Sequence, residues 1–367
     1  MLIGVPKEIK SQESRVAITP EGVSEFTRQG HRVLIEKGAG IGSAISDEDY
    51  ISQGGQIASS VEDLWAKAEL ILKVKEPIAA EYPRMRQGQI LFTYLHLAAS
   101  KECTDALISS GTTAIAYETV EINGQLPLLA PMSEVAGRMA TQVGASALQK
   151  PHGGRGVLLG GVPGVAPGKV VVLGGGVAGL NSAVMALGLG ADVTVIDRSI
   201  ARLQYIDSLY RGAIKTLAAS HHAIDQEIGK ADLVVGAVLV HGAKAPMLVS
   251  NNQVKKMKQG SVLVDIAIDQ GGCFADSKAT THAEPTFKIH ESIFYCVANM
   301  PGAVPVTSTY ALTNATLPFA LAIARHGWRS ALSMDKGLAQ GLNVHEGKIY
   351  YSAVAQSHNY ECANLTL

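Results

Sequence analysis

This chain of 367 residues has almost no net charge, only four cysteines and no internal repeats. The 31 Lys and Arg side chains nearly balance 32 Asp and Glu side chains. The resulting net charge of −1 gives no sign of the polybasic surface typical of proteins that bind nucleic acid or anionic lipid. The four cysteines follow neither the C-x-x-C pattern nor zinc spacing, so we expect reduced, mostly buried thiols in a cytosolic protein. They are Cys103, Cys273, Cys296 and Cys362.

We also expect neither a leader segment nor a membrane span. Residues 1–5 lack basic side chains and a long apolar core, so we expect no signal peptide and a cytoplasmic location. Val170–Ala191 carries no charge and is long enough for a membrane helix. However, six of these residues are glycines, and three of them follow one another directly after four β-forming residues. This pattern breaks a helix near its start, so we expect no membrane span.

The same stretch contains the most informative pattern of the chain. Val170–Leu173 is apolar and predicts a buried parallel strand. Gly174, Gly176 and Gly179 follow at once as G-x-G-x-x-G, and residues 180–189 predict a helix. In a dinucleotide site the first glycine permits the tight turn, the second lets the backbone approach a pyrophosphate, and the third lets helix pack on strand. The helix N-terminus then offers N–H groups to the phosphates.

An acidic residue completes this pattern. Val193–Ile196 predicts a second strand that ends on Asp197, close to the place after Gly179 where dinucleotide sites carry an acid. An acid at this position accepts hydrogen bonds from an adenosine ribose and disfavours a 2′-phosphate, which predicts NAD rather than NADP. A bare glycine triplet is as often an ordinary turn, but strand, glycines, helix, strand and acid in this order favour a dinucleotide site.

The length and the alternation of elements predict an α/β protein with two doubly wound, Rossmann-like domains and a catalytic cleft between them. We expect residues 1–128 to form a substrate domain, completed by residues 306–367, and residues 129–305 to form the NAD-binding domain. Thr307–Ala324 predicts a helix, interrupted by Pro318, that returns to the first domain. The other predicted strands are Leu2–Val5, Arg32–Ile35, Leu70–Val74, Ile90–Phe92, Thr113–Ala116, Leu233–Ala237, Val262–Asp265 and Phe294–Val297.

Four polar residues follow predicted strands or lie in the loop after one. Ligands of open parallel sheets bind beyond the carboxyl ends of the strands, a rule that selects Lys75, His96 and Asp269, with Arg15 in the loop after the first strand. Arginine can hold a carboxylate through two hydrogen bonds, lysine can polarise a carbonyl, and histidine can move protons near neutral pH. A small 2-oxo or 2-amino acid needs such groups. Taken singly, Arg15 or Lys75 would more often be a surface charge, and His96 would be structural about as often as functional.

Eight long segments, spread over nearly the whole chain, resemble one known family. They are IGVPKE (Ile3–Glu8), ESRVAITP (Glu13–Pro20), LKVKEP (Leu72–Pro77), FTYLHLA (Phe92–Ala98), LAPMSEVAG (Leu129–Gly137), GGRGVLLGGVP (Gly153–Pro163), DIAIDQGG (Asp265–Gly272) and CVANMP (Cys296–Pro301). The chain resembles the alanine dehydrogenases, a family shared with the soluble nucleotide-binding part of proton-translocating transhydrogenase. The resemblance implies reversible conversion of L-alanine, NAD⁺ and water to pyruvate, ammonium and NADH.

The resemblance also implies roles for individual residues. Arg15 and Lys75 would bind substrate, while His96 and Asp269 would be catalytic. The remaining cofactor residues implied are Ser133, Val177, Ala178, Arg202, Ser220, Val238, Leu239, Ile266, Ala267, Ile268, Asp269, Val297, Ala298, Asn299 and Met300, in addition to the glycines and Asp197. Lys278 stands where relatives are expected to have arginine, and Glu118 with His326 would hold a divalent metal ion. Relatives form hexamers, so we expect a homo-oligomer.

Two other functions stay open at this point. A transhydrogenase component would bind NAD(H) and pass hydride to a partner protein, but we would not expect Lys75-Glu76-Pro77 and Leu95-His96 there. A non-catalytic NAD-binding sensor belongs to another class. Four polar side chains in a cleft would then be costly to keep without a ligand, which argues against it. An assay for NADH formed from alanine separates all three.

Overall fold

A computed structural model of the protein describes residues 1–238 and 245–365. The chain forms two compact units: unit 1 consists of Met1–Met132 and Val304–Leu367, and unit 2 of Ser133–Ala303. Each unit is built around its own sheet with helices between successive strands, which confirms the predicted α/β class with two doubly wound sheets. Within the described ranges, no helix is both long and apolar enough to cross a membrane.

Hydroxyl side chains begin the early helices of unit 1, as a Ser or Thr directly before each helical stretch of the sequence predicts. The Thr19 hydroxyl accepts a hydrogen bond from the N–H of Gly22, and Ser46, Ser60 and Ser100 cap the next three helices. The helices are α1 (Pro20–Arg28), α2 (Asp47–Ser52), α3 (Val61–Lys67) and α4 (Lys101–Ser110). The strands between them are β1 (Leu2–Val5), β2 (Arg32–Ile35), β3 (Gln56–Ile57), β4 (Leu70–Leu72), β5 (Ile90–Thr93) and β6 (Thr113–Ala116).

The second unit repeats this alternation. Its strands are β7 (Lys169–Leu173), β8 (Asp192–Asp197), β9 (Ile214–Ala218), β10 (Leu233–Gly236), β11 (Val262–Asp265), β12 (Thr286–Ile289) and β13 (Ser292–Tyr295). Its helices are α5 (Ala130–Ala147), in which the boundary between the units falls, α6 (Val177–Gly188), α7 (Ile200–Tyr210), α8 (His221–Ile228) and α9 (Asn251–Lys255). Helix α6 begins earlier than predicted, because the helix follows the second glycine of the motif directly.

The last part of the chain returns to unit 1. Its helices are α10 (Pro305–His326), α11 (Trp328–Met334), α12 (Lys336–Ala339) and α13 (Ser352–His358), and its strands are β14 (Leu342–His345) and β15 (Lys348–Ile349). The two strands were not predicted from the sequence, in which only the helix over Thr307–Ala324 was expected here. Pro318 lies inside α10 without ending it. The Thr309 hydroxyl of this helix accepts a hydrogen bond from the N–H of Val16, 3.1 Å away.

The sheet of unit 1 has the strand order β3-β2-β1-β4-β5-β6-β14-β15. Its first six strands are parallel, while β14 and β15 pair antiparallel at the β6 edge. Strands β1 to β3 thus follow one another from the centre of the sheet to one edge, and strands β4 to β6 follow one another towards the other edge. Such a reversal opens a crevice at the carboxyl ends of the two central strands, where ligands of doubly wound sheets bind.

The sheet of unit 2 has the order β9-β8-β7-β10-β11-β13-β12. All pairs are parallel except β12 with β13, and the first six strands in this order have the usual arrangement of a dinucleotide-binding sheet. The reversal lies between β7 and β10. The glycine motif follows β7, and Val238 comes shortly after β10, so both lie at the end of the sheet where a dinucleotide is expected.

Candidate active site

Three of the four predicted reactive residues lie at one edge of the unit 1 sheet. Strand β4 pairs with β1 on one side and with β5 on the other, and all three strands are parallel. Arg15 is in the segment after β1, Lys75 follows β4 closely, and His96 follows β5 closely. The carboxyl ends of neighbouring parallel strands meet at the same edge. The fold thus brings a guanidinium, an ammonium and an imidazole to the crevice of this unit.

Arg15 is buried, with 2% of its surface exposed, so the alternative of a surface charge is wrong for this residue. Its Nε donates to Oε1 of Glu13 at 2.7 Å, Nη2 donates to Oε2 at 2.5 Å, and Nη1 donates to the sulfur of Met132 at 3.0 Å. Burial disfavours the charged guanidinium, but the hydrogen bonds and charge of Glu13 outweigh this effect and raise the pKa of Arg15 above its ordinary value. Arg15 therefore stays cationic in a buried position.

The main chain of Lys75 is held from two sides. Its N–H donates to Oε1 of Glu8 at 3.3 Å, and its carbonyl accepts from the hydroxyl of Thr93 at 3.0 Å. The residue is half-buried. The segment after β4 is thereby tied both to the segment after β1 and to the end of β5, so the backbone of Lys75 has a defined place between its neighbours.

His96 has a left-handed backbone, with φ 48° and ψ 37°, and the residue is exposed. The carboxylate of Glu118 accepts hydrogen bonds from the N–H of His96 at 2.6 Å and from the N–H of Leu95 at 3.2 Å. The imidazole stacks on the ring of Tyr94, with 5.8 Å between ring centroids and 11° between planes. Non-glycine residues seldom adopt this conformation, which is found at functional sites when the surroundings enforce it.

A buried group of charges beneath this crevice was not predicted. Nζ of Lys73 lies 3.1 Å from Oε2 of Glu8 and 2.8 Å from Oε1 of Glu81. Glu8 and Lys73 stand within two of the segments that carry the family resemblance, IGVPKE and LKVKEP, but a sequence pattern alone does not tell which lysine of LKVKEP is buried. The structure decides it, because Lys73 is 1% exposed while Lys75 is half-buried.

The predicted metal site at Glu118 and His326 stays a prediction. Within residues 1–238 and 245–365, no group of three or more His, Cys, Asp and Glu side chains is placed to hold a metal ion. One carboxylate and one imidazole would supply fewer ligands than divalent ions usually take from a protein. The carboxylate of Glu118 is also engaged by main-chain N–H groups, as described above. These two residues therefore fit a metal ion poorly.

Each glycine of the motif in unit 2 has its own environment. Gly174 has φ +96°, which disfavours other residues, and a Cβ on Gly179 would lie 1.8 Å from the carbonyl oxygen of Gly174. The first and third glycines are thus required by the turn and by the contact of α6 with the strand. Gly176 is different, because a Cβ there would meet no protein atom within 4 Å. Its lack of a side chain leaves space at the N-terminus of α6, where a pyrophosphate fits.

Asp197 and Arg202 lie beside this loop. The carboxylate of Asp197 accepts hydrogen bonds from the N–H groups of Gly175 and Ser199, each at 2.7 Å. Nε of Arg202 donates to the carbonyl oxygen of Gly175. The acid at the end of β8 therefore holds the glycine turn in place, and its half-buried position leaves part of it accessible to a ribose.

Asp269 lies in a single 3-10 helix, Ile266–Gln270, directly after β11. The buried carboxylate of Asp265 anchors this helix by accepting from the N–H of Ala267 at 3.0 Å and from the N–H of Cys273 at 2.9 Å. Burial raises the pKa of Asp265, partly offset by these donors. Asp269 itself is exposed, and Ile266 is half-buried. Ala267 and Ile268 belong to the hydrophobic core, so a cofactor would meet them mainly through their main chain.

The remaining predicted cofactor residues are spread around unit 2. The Ser220 hydroxyl caps helix α8 by accepting from the N–H of Ala223, and Nζ of Lys278 lies 4.4 Å from the centre of the Phe287 ring. Leu239 lies outside the described residues. Half-buried residues among the others are Ser133, Ala178, Val238 and Ala298, while Val177 at the start of α6 is exposed. Val297 and Met300 are buried. Asn299 has a left-handed backbone, with φ 64°. All of these cofactor roles stay predictions.

Two family models account for nearly the whole chain. The model described as "Alanine dehydrogenase/PNT, N-terminal domain" matches residues 4–136, and "Alanine dehydrogenase/PNT, C-terminal domain" matches residues 140–352. The chain belongs to the alanine dehydrogenase/PNT family. The resemblance inferred from the sequence is confirmed, and the family implies a nicotinamide cofactor.

Individual relatives agree with this membership. The chain is 62% identical to the alanine dehydrogenase of Mycolicibacterium smegmatis, covering 97% of this chain and 96% of that protein. It is 54% identical to the alanine dehydrogenase of Bacillus subtilis, covering 98% and 96%. A solved L-alanine dehydrogenase superposes with a TM-score of 0.95 at 50% identity, covering 98% and 99%. A transhydrogenase from Sinorhizobium meliloti gives 0.83 at 25% identity, covering 96% and 100%. The chain is thus more similar to these alanine dehydrogenases than to this transhydrogenase.

Proposed function

We propose that this protein catalyses the reversible oxidative deamination of L-alanine to pyruvate and ammonium, with NAD as the hydride acceptor. The observation that carries the proposal is the arrangement of Arg15, Lys75 and His96 at the carboxyl ends of three adjacent strands, in a chain that shares more than half its residues with alanine dehydrogenases. The substrates are small molecules. A cytoplasmic location and a hexameric assembly are part of the proposal, and no nucleic acid, membrane or metal ion is required by it.

Arg15 and Lys75 are assigned to the substrate. The guanidinium of Arg15 donates from Nη1 to a thioether sulfur, which is a weak acceptor, and a substrate carboxylate would be a stronger one. Glu13 holds Nε and Nη2 through two hydrogen bonds, so the guanidinium is already oriented. The ammonium of Lys75 would orient the carboxylate or the carbonyl oxygen of pyruvate and stabilise negative charge that develops there.

His96 is assigned to the proton transfers and Asp269 to the balancing of charge. A bound nicotinamide would supply the oxidising chemistry, by accepting the hydride from Cα of alanine. The resulting imine must add water before ammonia can leave, and this sequence needs a base for the water proton and a donor for the leaving nitrogen. Imidazole can serve in both steps near neutral pH. The carboxylate of Asp269 would balance the positive charge of the imine or ammonium.

The residues around the glycine motif are assigned to NAD. The N-terminus of α6 and the open space at Gly176 suit a pyrophosphate, and Asp197 suits a free ribose 2′-hydroxyl. A 2′-phosphate would meet the carboxylate of Asp197, so NAD is favoured over NADP. The exposed residue Arg198 stands next in the chain and would soften this repulsion.

The test is turnover of L-alanine by the purified protein, followed by the absorbance of NADH. We expect NADH to form with L-alanine and NAD⁺, and to be consumed with pyruvate and ammonium. NADH binding without turnover of alanine in either direction would overturn the proposal and favour a transhydrogenase component or a sensor. A transhydrogenase component would instead pass hydride to a partner protein that binds a second nucleotide.

A further inference from the structure

Glu8 and Glu81 share one buried lysine beneath the crevice of unit 1. Glu8 is 6% exposed, Lys73 is 1% exposed and Glu81 is 2% exposed. The two carboxylates each place one oxygen on Nζ of Lys73, at 3.1 Å for Glu8 and 2.8 Å for Glu81. Buried charges are costly unless they are paired and hydrogen-bonded, so this group requires a reason for its position.

The second oxygens of the two carboxylates hold different parts of the chain. Oε1 of Glu8 accepts from the N–H of Val74 at 2.6 Å and from the N–H of Lys75 at 3.3 Å. Oε2 of Glu81 accepts from the N–H of Ile78 at 3.1 Å. Glu8 thus binds the main chain of the residue assigned to the substrate, whereas Glu81 binds a turn further along the chain. In other respects the two side chains make the same type of contacts.

The charge of Glu8 also reaches the second cation of the crevice. Burial raises the pKa of Glu8 above its ordinary value, the ammonium of Lys73 opposes this, and the negative charge of Glu81 adds to it. Burial likewise disfavours the charged form of Lys73, but the two carboxylates keep its pKa above the ordinary value. Glu8 is also one of the groups that stabilise the charge on Arg15. Lys73 thus lies between two carboxylates that both stabilise its charge.

We propose that Glu8 is a positioning residue for the substrate, because its carboxylate, held by Lys73, binds the main-chain N–H of Lys75. This inference rests on the proposed function, since it concerns the same reaction. Lys73 holds the carboxylate of Glu8 in place. Glu81 provides a second negative charge for Lys73 and also binds the N–H of Ile78. Glu8 acts on the reaction through Lys75.

The matched variants are Glu8→Gln and Glu81→Gln. In each variant the amide oxygen can still accept a hydrogen bond, but the new NH₂ group faces another donor, either the ammonium of Lys73 or a main-chain N–H. Because this unfavourable contact is the same in both variants, we expect a similar loss of thermal stability. In Glu8→Gln we expect KM for pyruvate and for L-alanine to rise and kcat/KM to fall roughly 10-fold or more, as for a lost hydrogen bond to a charged group. The dissociation constant for NADH, measured by fluorescence titration, should not change. Glu81→Gln should keep the wild-type KM values.

Glu8→Asp provides a second test that does not depend on Glu8→Gln being foldable. It keeps the negative charge for Lys73 but shortens the reach to the N–H groups of Val74 and Lys75, so the KM for pyruvate should again rise. Wild-type KM and kcat in a folded Glu8→Asp enzyme, or equal kinetic losses in the Glu8 and Glu81 variants, would overturn the inference. Failure of the proposed function shows itself differently, since the wild-type protein would then not turn over alanine at all.

Discussion

At the scale of single residues, the left-handed backbone of His96 distinguishes it from Arg15, Lys75 and Asp269. Its left-handed conformation costs free energy for any residue with a Cβ, and the carboxylate of Glu118 offsets part of this by accepting from two consecutive N–H groups. The imidazole of this exposed residue is then presented from a defined main chain and rests on the ring of Tyr94. A histidine with a merely structural role would more often be buried and hydrogen-bonded through its ring.

Replacement of His96 tests this assignment. His96→Ala should lower kcat by ~10²–10⁴-fold, the usual contribution of a general acid–base group, while the affinity for NADH is kept. The measurement is steady-state kinetics in both directions together with NADH titration. His290→Ala is the matched control, because His290 is also exposed and left-handed, with φ 50°, but lies in unit 2. A His96→Ala enzyme that keeps more than about a tenth of the wild-type kcat would move the proton transfers to another group.

Asp197 carries the prediction for cofactor choice. Asp197→Ala removes the carboxylate that would accept from the ribose, and the ratio of kcat/KM for NAD to that for NADP should fall roughly 10-fold or more. Both cofactors should also bind somewhat less tightly, since the N–H groups of Gly175 and Ser199 lose their acceptor.

The control for this change is Asp192→Ala. Asp192 is the first residue of β8 and pairs with Lys215 at 2.6 Å, whereas Asp197 is the last residue of the same strand. The NAD to NADP ratio should be unchanged in Asp192→Ala. Equal use of NADP by the wild-type protein would contradict the role given to Asp197.

At the scale of elements, the glycine turn between β7 and α6 separates a folding requirement from a binding requirement. A Cβ on Gly179 would lie 1.8 Å from a main-chain oxygen, which the packing of helix on strand cannot accommodate without a shift. A Cβ on Gly176 would meet no protein atom within 4 Å. Both residues belong to one turn, so they form a natural pair for comparison.

Alanine substitutions should therefore act on different properties. Gly179→Ala should destabilise the protein by ~1–3 kcal/mol or more, as overpacking does, and lower its melting temperature. Gly176→Ala should melt close to the wild-type temperature but bind NADH more weakly, because its methyl group would occupy the space assigned to the pyrophosphate. Thermal unfolding and fluorescence titration of both variants measure these two effects. Wild-type NADH affinity in Gly176→Ala would argue against a pyrophosphate at this position.

The edges of the two sheets show where local sequence patterns were insufficient. Strands β9 and β12, each outermost in the unit 2 sheet, consist mainly of exposed and half-buried residues and were not predicted. Strands β3 and β15 have two residues each, and β14 contains Asn343 and His345; these three strands also escaped prediction. The central strands β1, β2, β6 and β11 have the predicted bounds, because a strand buried on both faces is a continuous apolar run.

At the scale of the whole molecule, two histidines couple stability to pH. Burial lowers the pKa of His345 below its ordinary value of 6.5, Arg329 adds to the effect and Glu346 opposes it. Burial also lowers the pKa of His31. The native state therefore favours neutral imidazoles. Their contribution is fully present above pH 6.5 and is lost as the pH falls through the folded-state pKa values. The melting temperature should fall on acidification below pH 6.5.

His345→Asn tests the part due to His345. The ring nitrogen Nδ1 lies 2.9 Å from the hydroxyl of Thr113, and an asparagine keeps a polar partner there without titrating in this range. Between pH 6.5 and pH 5.5, the melting temperature of the variant should fall less than that of the wild type. His221→Asn, at an exposed position, should show the wild-type slope. If the melting temperature of His345→Asn falls with pH as steeply as that of the wild type, burial of this ring does not govern the loss of stability at acidic pH.

The sequence by itself determined the α/β class, the central strands, the caps of the early helices, the glycine motif with its acid, and the family. These features depend on local patterns, since a buried parallel strand, a capped helix and a phosphate-binding turn each have their residues close together in the chain. Arg15, Lys75 and His96 could also be selected, because the rule that ligands bind at the carboxyl ends of strands needs only the strand positions.

Only the tertiary structure decided which of these groups are buried and what holds them. Lys73 and Lys75 have the same chemistry and stand close together in the chain, yet Lys73 is buried between the carboxylates of Glu8 and Glu81 while Lys75 is half-buried in the crevice. Glu118 holds the backbone of His96 from beyond the next helix and strand, and β14 joins β6 from a segment near the other end of the chain. Such partners meet only when the sheet is assembled, because burial and charge pairing depend on distances in space that no local pattern contains.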